Sequence, residues 1–283
     1  MSAPLISAET LGKRLEQQQD LLIIDCRFNL LDKELGQADY AEGHIPGAFF
    51  LDLEKDLSAP VGRHGGRHPL PDTTAFEQKM RLIGLNEGRE VVVYDDSRMA
   101  YAAHLRWLLR YFGHHPVSIL DGGYSAWLEA GGQPDRRQPE LTRYGNFVAS
   151  PGQLPVRHIE EIKSTPAAFT LIDSREPARY EGREEPIDPV AGHIPGAVNV
   201  YWQTAVDNKG FFADAEQQAR RWQAFNLDRE LVVYCGSGVT ACMNLLSLEI
   251  AGIPASLYPG SWSDWCSWLS EDEITALKNK RPG

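Results

Sequence analysis

The feature that most constrains this chain is that it contains itself twice. Leu22-Ile23-Ile24-Asp25-Cys26-Arg27 returns as Leu171-Ile172-Asp173-Ser174-Arg175. Gly43-His44-Ile45-Pro46-Gly47-Ala48 returns as Gly192-His193-Ile194-Pro195-Gly196-Ala197. Val91-Val92-Val93-Tyr94-Asp95 returns as Leu231-Val232-Val233-Tyr234-Cys235, and Gly122-Gly123-Tyr124-Ser125-Ala126-Trp127 as Gly260-Ser261-Trp262-Ser263-Asp264-Trp265. The order is kept and only loop lengths differ, with offsets between 138 and 149 residues. A period that long marks a duplicated domain and not a solenoid unit. The full length of 283 residues accommodates two such domains of ordinary size.

Each copy reads as alternating strand and helix. The short apolar runs before Asp25, Asp95, Asp173 and Cys235 are continuous, as in strands buried on both faces. Helical patterns follow over 100–112 and 241–251, each succeeded by a glycine, Gly113 or Gly252, suited to the C′ position. Such alternation predicts an α/β fold: two tandem domains, each a parallel sheet with helices on both faces. Residues 136–155 form the expected linker, inside a Gly-, Pro- and Arg-rich stretch from Gly131 to Pro155 without periodicity. The expected domains are therefore 1–135 and 156–283. Ligands of parallel sheets sit at the carboxyl ends of strands, which directs attention to the residues after Tyr94 and Tyr234.

Cys235-Gly236-Ser237-Gly238-Val239-Thr240 joins a strand to a helix there. Its two glycines permit a tight loop that aims successive N–H groups at one point, and the helix adds its positive end. A thiol at that focus is expected as thiolate. The equivalent loop of the first copy begins with Asp95, lacks the glycines, and is expected to repel an aspartate if it has the same shape. One copy thus carries the chemistry and the other does not. Of the four cysteines, Cys26, Cys242 and Cys266 read as core filler, and none forms a CxxC pair or a metal-ligand spacing with histidine. No metal or organic cofactor is expected. His44 and His193 occur in both copies and therefore read as structural, as do the pairs Asp25–Arg27 and Asp173–Arg175. Trp262, Trp265 and Trp268 read as packing residues, Trp262 on a loop facing the site.

With these motifs the chain resembles the tandem-domain rhodanese family over nearly its whole length. The Gly-His-Ile-Pro-Gly-Ala blocks resemble one family signature and Tyr-Pro-Gly-Ser-Trp-Ser-Asp-Trp at 258–265 another. The resemblance implies an inactive N-terminal domain and a sulfurtransferase that carries sulfur as a persulfide on Cys235. The loop Cys-Gly-Ser-Gly-Val-Thr is most similar to the 3-mercaptopyruvate branch. The thiosulfate branch usually has basic residues at the two positions after the cysteine, and a thiosulfate enzyme is the alternative reading. Uncharged Gly236 and Ser237 suit a donor whose single carboxylate lies away from the sulfur, and Ser237 is a candidate hydrogen-bond donor to the enolate. The resemblance also gives Arg179 as a carboxylate-binding residue. The family's second such arginine falls on Ile187, so Arg183 is the candidate substitute. Substrate binding is further assigned to Gly236, Gly238, Val239 and Thr240. His68 resembles a family histidine that works with the loop serine and an acid at or near Glu54 or Asp52; it lies in the basic cluster Arg63, His64, Arg67 and His68.

Other classes fit less well. A cysteine phosphatase would need an arginine where Ala241 stands, and a thioredoxin-like enzyme a second cysteine close to Cys235. A non-catalytic scaffold would have no reason to keep the cysteine. A net charge of −11 and the lack of a basic stripe exclude nucleic acid as the expected partner. No apolar run is long enough for a membrane span. The expected partners are a small anionic sulfur donor and either cyanide or a thiol acceptor such as thioredoxin, in the cytoplasm.

Overall fold

A computed structural model describes residues 3–140, 143–225 and 227–279. The chain divides into two compact units, one of Met1–Ala59, Pro71–Leu154 and Val206–Phe212, the other of Pro60–Leu70, Pro155–Ala205 and Ala213–Gly283. The division differs from the continuous one expected from the sequence in two segments, 60–70 and 206–212. Residues 60–70 group with the second unit, although more than eighty residues of the first unit follow them in the chain.

The first unit holds β1 (Leu5–Ile6), β2 (Leu21–Asp25), β3 (Phe49–Phe50), β4 (Glu90–Tyr94) and β5 (Val117–Leu120) in one sheet ordered β1-β5-β4-β2-β3. Every pairing is parallel. Around it lie α1 (Ala8–Glu16), α2 (Leu35–Glu42), α3 (Thr73–Leu82), α4 (Ala100–Tyr111) and α5 (Gly123–Glu129). The central strands are buried from their second residue onward, which requires cover on both faces and explains their unbroken apolar sequence. Each fully buried Val or Ile there contributes about 1.5–3 kcal/mol by leaving water.

The second unit repeats the plan. β6 (Phe169–Asp173), β7 (Val198–Asn199), β8 (Glu230–Tyr234) and β9 (Ala255–Leu257) form a parallel sheet ordered β7-β6-β8-β9. Its helices are α6 (Ile159–Ser164), α7 (Pro177–Tyr180), α8 (Ala215–Trp222), α9 (Ala241–Ile250), α10 (Ser261–Ser267) and α11 (Glu271–Asn279). In both copies the register is the same: Asp25 lies opposite Tyr94, and Asp173 opposite Tyr234. The residue after the tyrosine, Asp95 or Cys235, therefore leaves each sheet at the same point. The glycines expected beyond the two long helices are present in left-handed backbone, Gly113 at φ 95° and Gly252 at φ 73°. α4 ends at Tyr111 and α9 at Ile250, each followed by one cap residue before the glycine.

The residues shared by both copies are structural. Arg27 bonds to the Asp25 carboxylate and to the Gly43 carbonyl at 2.8 Å, and Arg175 bonds to Asp173 and to the Gly192 carbonyl at 2.6 Å. His44 stacks on Tyr40 at 3.9 Å and His193 on Tyr180 at 4.0 Å, each with Nδ1 on that tyrosine's carbonyl. Tyr94 and Tyr234 each accept the N–H of the residue after the histidine, Ile45 or Ile194, at 3.1 and 3.2 Å. One expectation is corrected: Trp262 is not on a loop but in α10, fully buried, with its indole N–H on the Val190 carbonyl at 2.8 Å.

Candidate active site

Cys235 opens the loop between β8 and α9, with 2% of its surface exposed. Its backbone is fixed on both sides. The Cys235 N–H donates to Ser261 Oγ at 3.1 Å, and the Cys235 carbonyl accepts from the Trp262 N–H at 3.0 Å. Ser261 Oγ in turn donates to the Tyr258 carbonyl at 2.9 Å. Ser261 holds this position at φ 55°, a left-handed backbone that serine seldom adopts. From sequence alone Ser261 has no assigned role. Its signal was present: it replaces Gly123 of the first copy, which has φ 65° at the corresponding place.

Beyond Cys235 the chain turns through Gly238 at φ 84°, and a methyl group there would lie 2.4 Å from the Pro259 carbonyl oxygen. The loop is buried from Cys235 to Val239, with Thr240 partly exposed. Yet among the described residues no backbone N–H from Gly236 to Thr240 donates to a protein partner. Buried backbone donors are nearly always paired, so a run of them without a protein partner is able to receive an anion.

The first copy shows what such a loop holds. The Asp95 carboxylate, wholly buried, accepts the N–H groups of Ser97 at 2.6 Å, Met99 at 3.0 Å, Tyr101 at 2.8 Å and Ala102 at 2.8 Å. This reverses the expectation that the loop would repel an aspartate. The side chain supplies the anion that the N–H groups would otherwise seek. Burial pushes the Asp95 carboxyl up to about 6, while the four N–H donors pull it down. Without the glycines the turn is made under strain, with Arg98 at φ 55° and Met99 at φ 64°.

Ser237 and His68 meet in the second unit. His68 Nδ1 lies 2.8 Å from Ser237 Oγ, and both side chains are buried. His68 is brought there by the segment from residue 60 to 70, which is pinned to α10. The Gly65 N–H donates to Asp264 at 2.7 Å, His64 bonds to Ser267 Oγ at 2.7 Å and stacks on Trp268 at 3.8 Å. A methyl group on Gly66 would meet the Gly260 carbonyl at 2.5 Å, so only glycine passes there. Asp52 and Glu54 belong to the first unit. Asp52 accepts the N–H groups of Glu54 and Lys55 at 2.8 and 2.9 Å, and Glu54 pairs with Lys33 at 2.8 Å.

Two guanidinium groups flank Gly236. A methyl group on Gly236 would lie 2.9 Å from Arg67 Nη2 and 3.5 and 3.7 Å from the two terminal nitrogens of Arg179. Arg179 pairs with Glu185 at 2.6 Å and Asp188 at 3.0 Å, and Arg67 pairs with the other Asp188 oxygen. Burial pushes the Asp188 carboxyl up, against the pull of Arg67. Arg183, the other expected substrate residue, is half exposed and bonds to Glu181 at 2.5 Å. Of the cluster Arg63, His64, Arg67 and His68, Arg67 lies beside the loop glycine, His68 at Ser237, and His64 against Ser267 and Trp268. Cys242 lies two turns on with its Sγ against the Gly238 carbonyl at 3.4 Å, and burial and the neighbouring Cys235 hold its thiol well above the ordinary range.

Two copies of one parallel α/β plan, one with a cysteine at the strand end where the other has an aspartate, define a duplicated class of α/β protein. The chain belongs to the rhodanese-like domain family, whose pattern matches residues 7–130 and 156–267. It is 45% identical over 273 residues to a Pseudomonas aeruginosa protein named "Probable 3-mercaptopyruvate sulfurtransferase", covering 93% of this chain and 95% of that one. It is 30% identical to the thiosulfate sulfurtransferase of Gallus gallus, with 92% of each chain covered. Among solved structures it is similar to the 3-mercaptopyruvate sulfurtransferase SseA of Escherichia coli, with a TM-score of 0.81, 31% identity, and 93% and 100% of the two chains covered. Among the described residues no helix is long and apolar enough to cross a membrane.

Proposed function

We propose that this protein moves sulfane sulfur from 3-mercaptopyruvate to a thiol or to cyanide through a persulfide on Cys235. The observation that carries the reading is the run of buried, unpaired N–H groups after Cys235, where the sister loop holds the carboxylate of Asp95 on its own N–H groups. Such donors stabilise a thiolate and afterwards the terminal sulfur of a persulfide.

In the first half-reaction the Cys235 thiolate attacks the sulfur of the donor. A sulfur–sulfur bond forms, the carbon–sulfur bond breaks, and its electron pair passes into the enolate of pyruvate. The proton lost by the donor thiol goes to the enolate carbon, with Ser237 Oγ, hydrogen-bonded to His68, as the group that hands it on. In the second half the acceptor attacks the outer sulfur, the sulfur–sulfur bond breaks, and the Cys235 thiolate returns. This is a ping-pong scheme with a covalent intermediate. Arg179, with the backbone of Gly236, Gly238, Val239 and Thr240, forms the donor site. A reducing compartment, the cytoplasm, suits this chemistry because Cys235 must be a free thiol between turnovers, and thioredoxin is an acceptor of the required kind.

Thiosulfate is the second reading, favoured by the guanidinium pair beside Gly236. Steady-state turnover with each donor, cyanide as acceptor and Cys235→Ala as control, separates the two. A kcat/KM for mercaptopyruvate at least tenfold above that for thiosulfate, about 1.4 kcal/mol at the transition state, supports the proposal. A preference for thiosulfate replaces it, and activity persisting in Cys235→Ala ends both.

A further inference from the structure

We propose that Arg67 is a donor-recognition residue, its Nη2 group binding the anionic end of the sulfur donor as that donor reaches Cys235. The inference rests on the reading of Cys235 as the reacting residue and deepens it. The segment from 60 to 70 groups with the second unit, and four contacts with α10 and the residues on either side of it fix its path. Arg67 leaves that segment next to His68, and its Nη2 lies closer to a methyl group placed on Gly236 than either nitrogen of Arg179 does, 2.9 Å against 3.5 and 3.7 Å.

The hydrogen-bonding account of Arg67 is incomplete within the protein. Nη1 is engaged by the Asp188 carboxylate. Nε is buried with no partner, and no protein group accepts from Nη2 among the described residues. A guanidinium presents its donors in a flat fork matched to carboxylate and related oxyanions. Asp188 bridges Arg67 to Arg179, so the two guanidinium groups are held as one face beside the loop. Around them the charges balance: Arg67, Arg175 and Arg179 stand against Asp173, Glu185 and Asp188. The face therefore offers directed N–H groups more than net charge, which suits a donor with a single remote carboxylate.

The test uses the whole protein and compares alkylation of Cys235 by iodoacetate and by iodoacetamide, which differ in charge and little in size, followed by mass spectrometry. In Arg67→Gln the iodoacetate-to-iodoacetamide rate ratio is expected to fall at least tenfold, with the iodoacetamide rate unchanged. The KM for mercaptopyruvate should rise in parallel while kcat stays within about threefold. Arg67→Lys keeps the charge but loses the fork, and its ratio should fall at least threefold; it also serves if Arg67→Gln does not fold. An unchanged ratio in a folded variant overturns the proposal. A ratio that falls while the wild type turns over neither donor keeps Arg67 as an anion-binding residue and removes the sulfurtransferase reading instead.

Discussion

Replacing Gly238 by alanine tests the loop where its geometry is tightest. Two costs arise. The first is the left-handed backbone at φ 84°, which costs an L-residue about 1–2 kcal/mol. The second is the new methyl group, only 2.4 Å from the Pro259 carbonyl oxygen and 3.2 Å from its carbon. That carbonyl has little freedom, because Tyr258 before it is bonded to Val233 at 2.9 Å and its own carbonyl holds Ser261. Relief must come from displacing either the Cys235 loop or the Ser261 turn. Overpacking of this kind costs about 1–3 kcal/mol, for a total of about 2–5. Gly252→Ala is the matched control, since it has φ 73° but nothing within 4 Å; it should lose only the backbone part, about 1–2 kcal/mol. Urea denaturation of both variants reads the difference, expected at about 1–3 kcal/mol. Activity should separate them further. A shift of about 1 Å in a reacting group can cost on the order of a hundredfold, so Gly238→Ala should lose that much kcat/KM while Gly252→Ala keeps nearly all of it. Equal loss of stability in the two, with wild-type turnover in Gly238→Ala, would refute the argument that the loop is shaped by this close approach.

Three further outcomes follow from the site. Ser237→Ala and His68→Asn should each lower kcat for mercaptopyruvate by about a hundredfold, the scale of a positioned proton donor, and the double variant should lose little more; additive losses in stopped-flow or steady-state kinetics would show that the 2.8 Å bond does not couple them. Asp95 should make the first unit less stable as pH rises. Its folded value is about 6 against an ordinary 3.8, so the stabilisation of the protonated form is fully present below pH 4 and lost as pH passes through 6. Two units correspond to about 3 kcal/mol, and the stability of the wild type relative to Asp95→Asn should fall by up to that amount between pH 4 and 7 in urea titrations; a flat difference would contradict it. Arg183→Ala should leave both donor KM values within about twofold, because an exposed pair with Glu181 contributes little; a large rise in KM would restore Arg183 to the donor site.

What the sequence determined by itself is what short stretches encode. The duplication, the buried strands, the helices closing on Gly113 and Gly252, the Asp–Arg pairs and the cysteine at a strand end are all local patterns, because strand alternation, helix period and turn chemistry act over a few residues. The structural role of His44 and His193 was legible for a related reason: the copy without the strand-end cysteine has its histidine too. Tertiary structure decided the rest. His68 reaches Ser237 across 169 positions of the chain, and Arg67 reaches Gly236 with it, because a segment numbered within the first domain packs on α10 of the second unit. Ser261 gains its role only when the turn after β9 comes to rest on Cys235. Asp95 is held and not repelled for a reason at the same level. Asp95 without the loop glycines implies, from sequence, a copy that has lost its nest, whereas the fold turns the carboxylate onto four N–H donors and satisfies them with it. Whether a charge is repelled or held depends on where the N–H vectors point, and periodicity along the chain contains no record of direction in space.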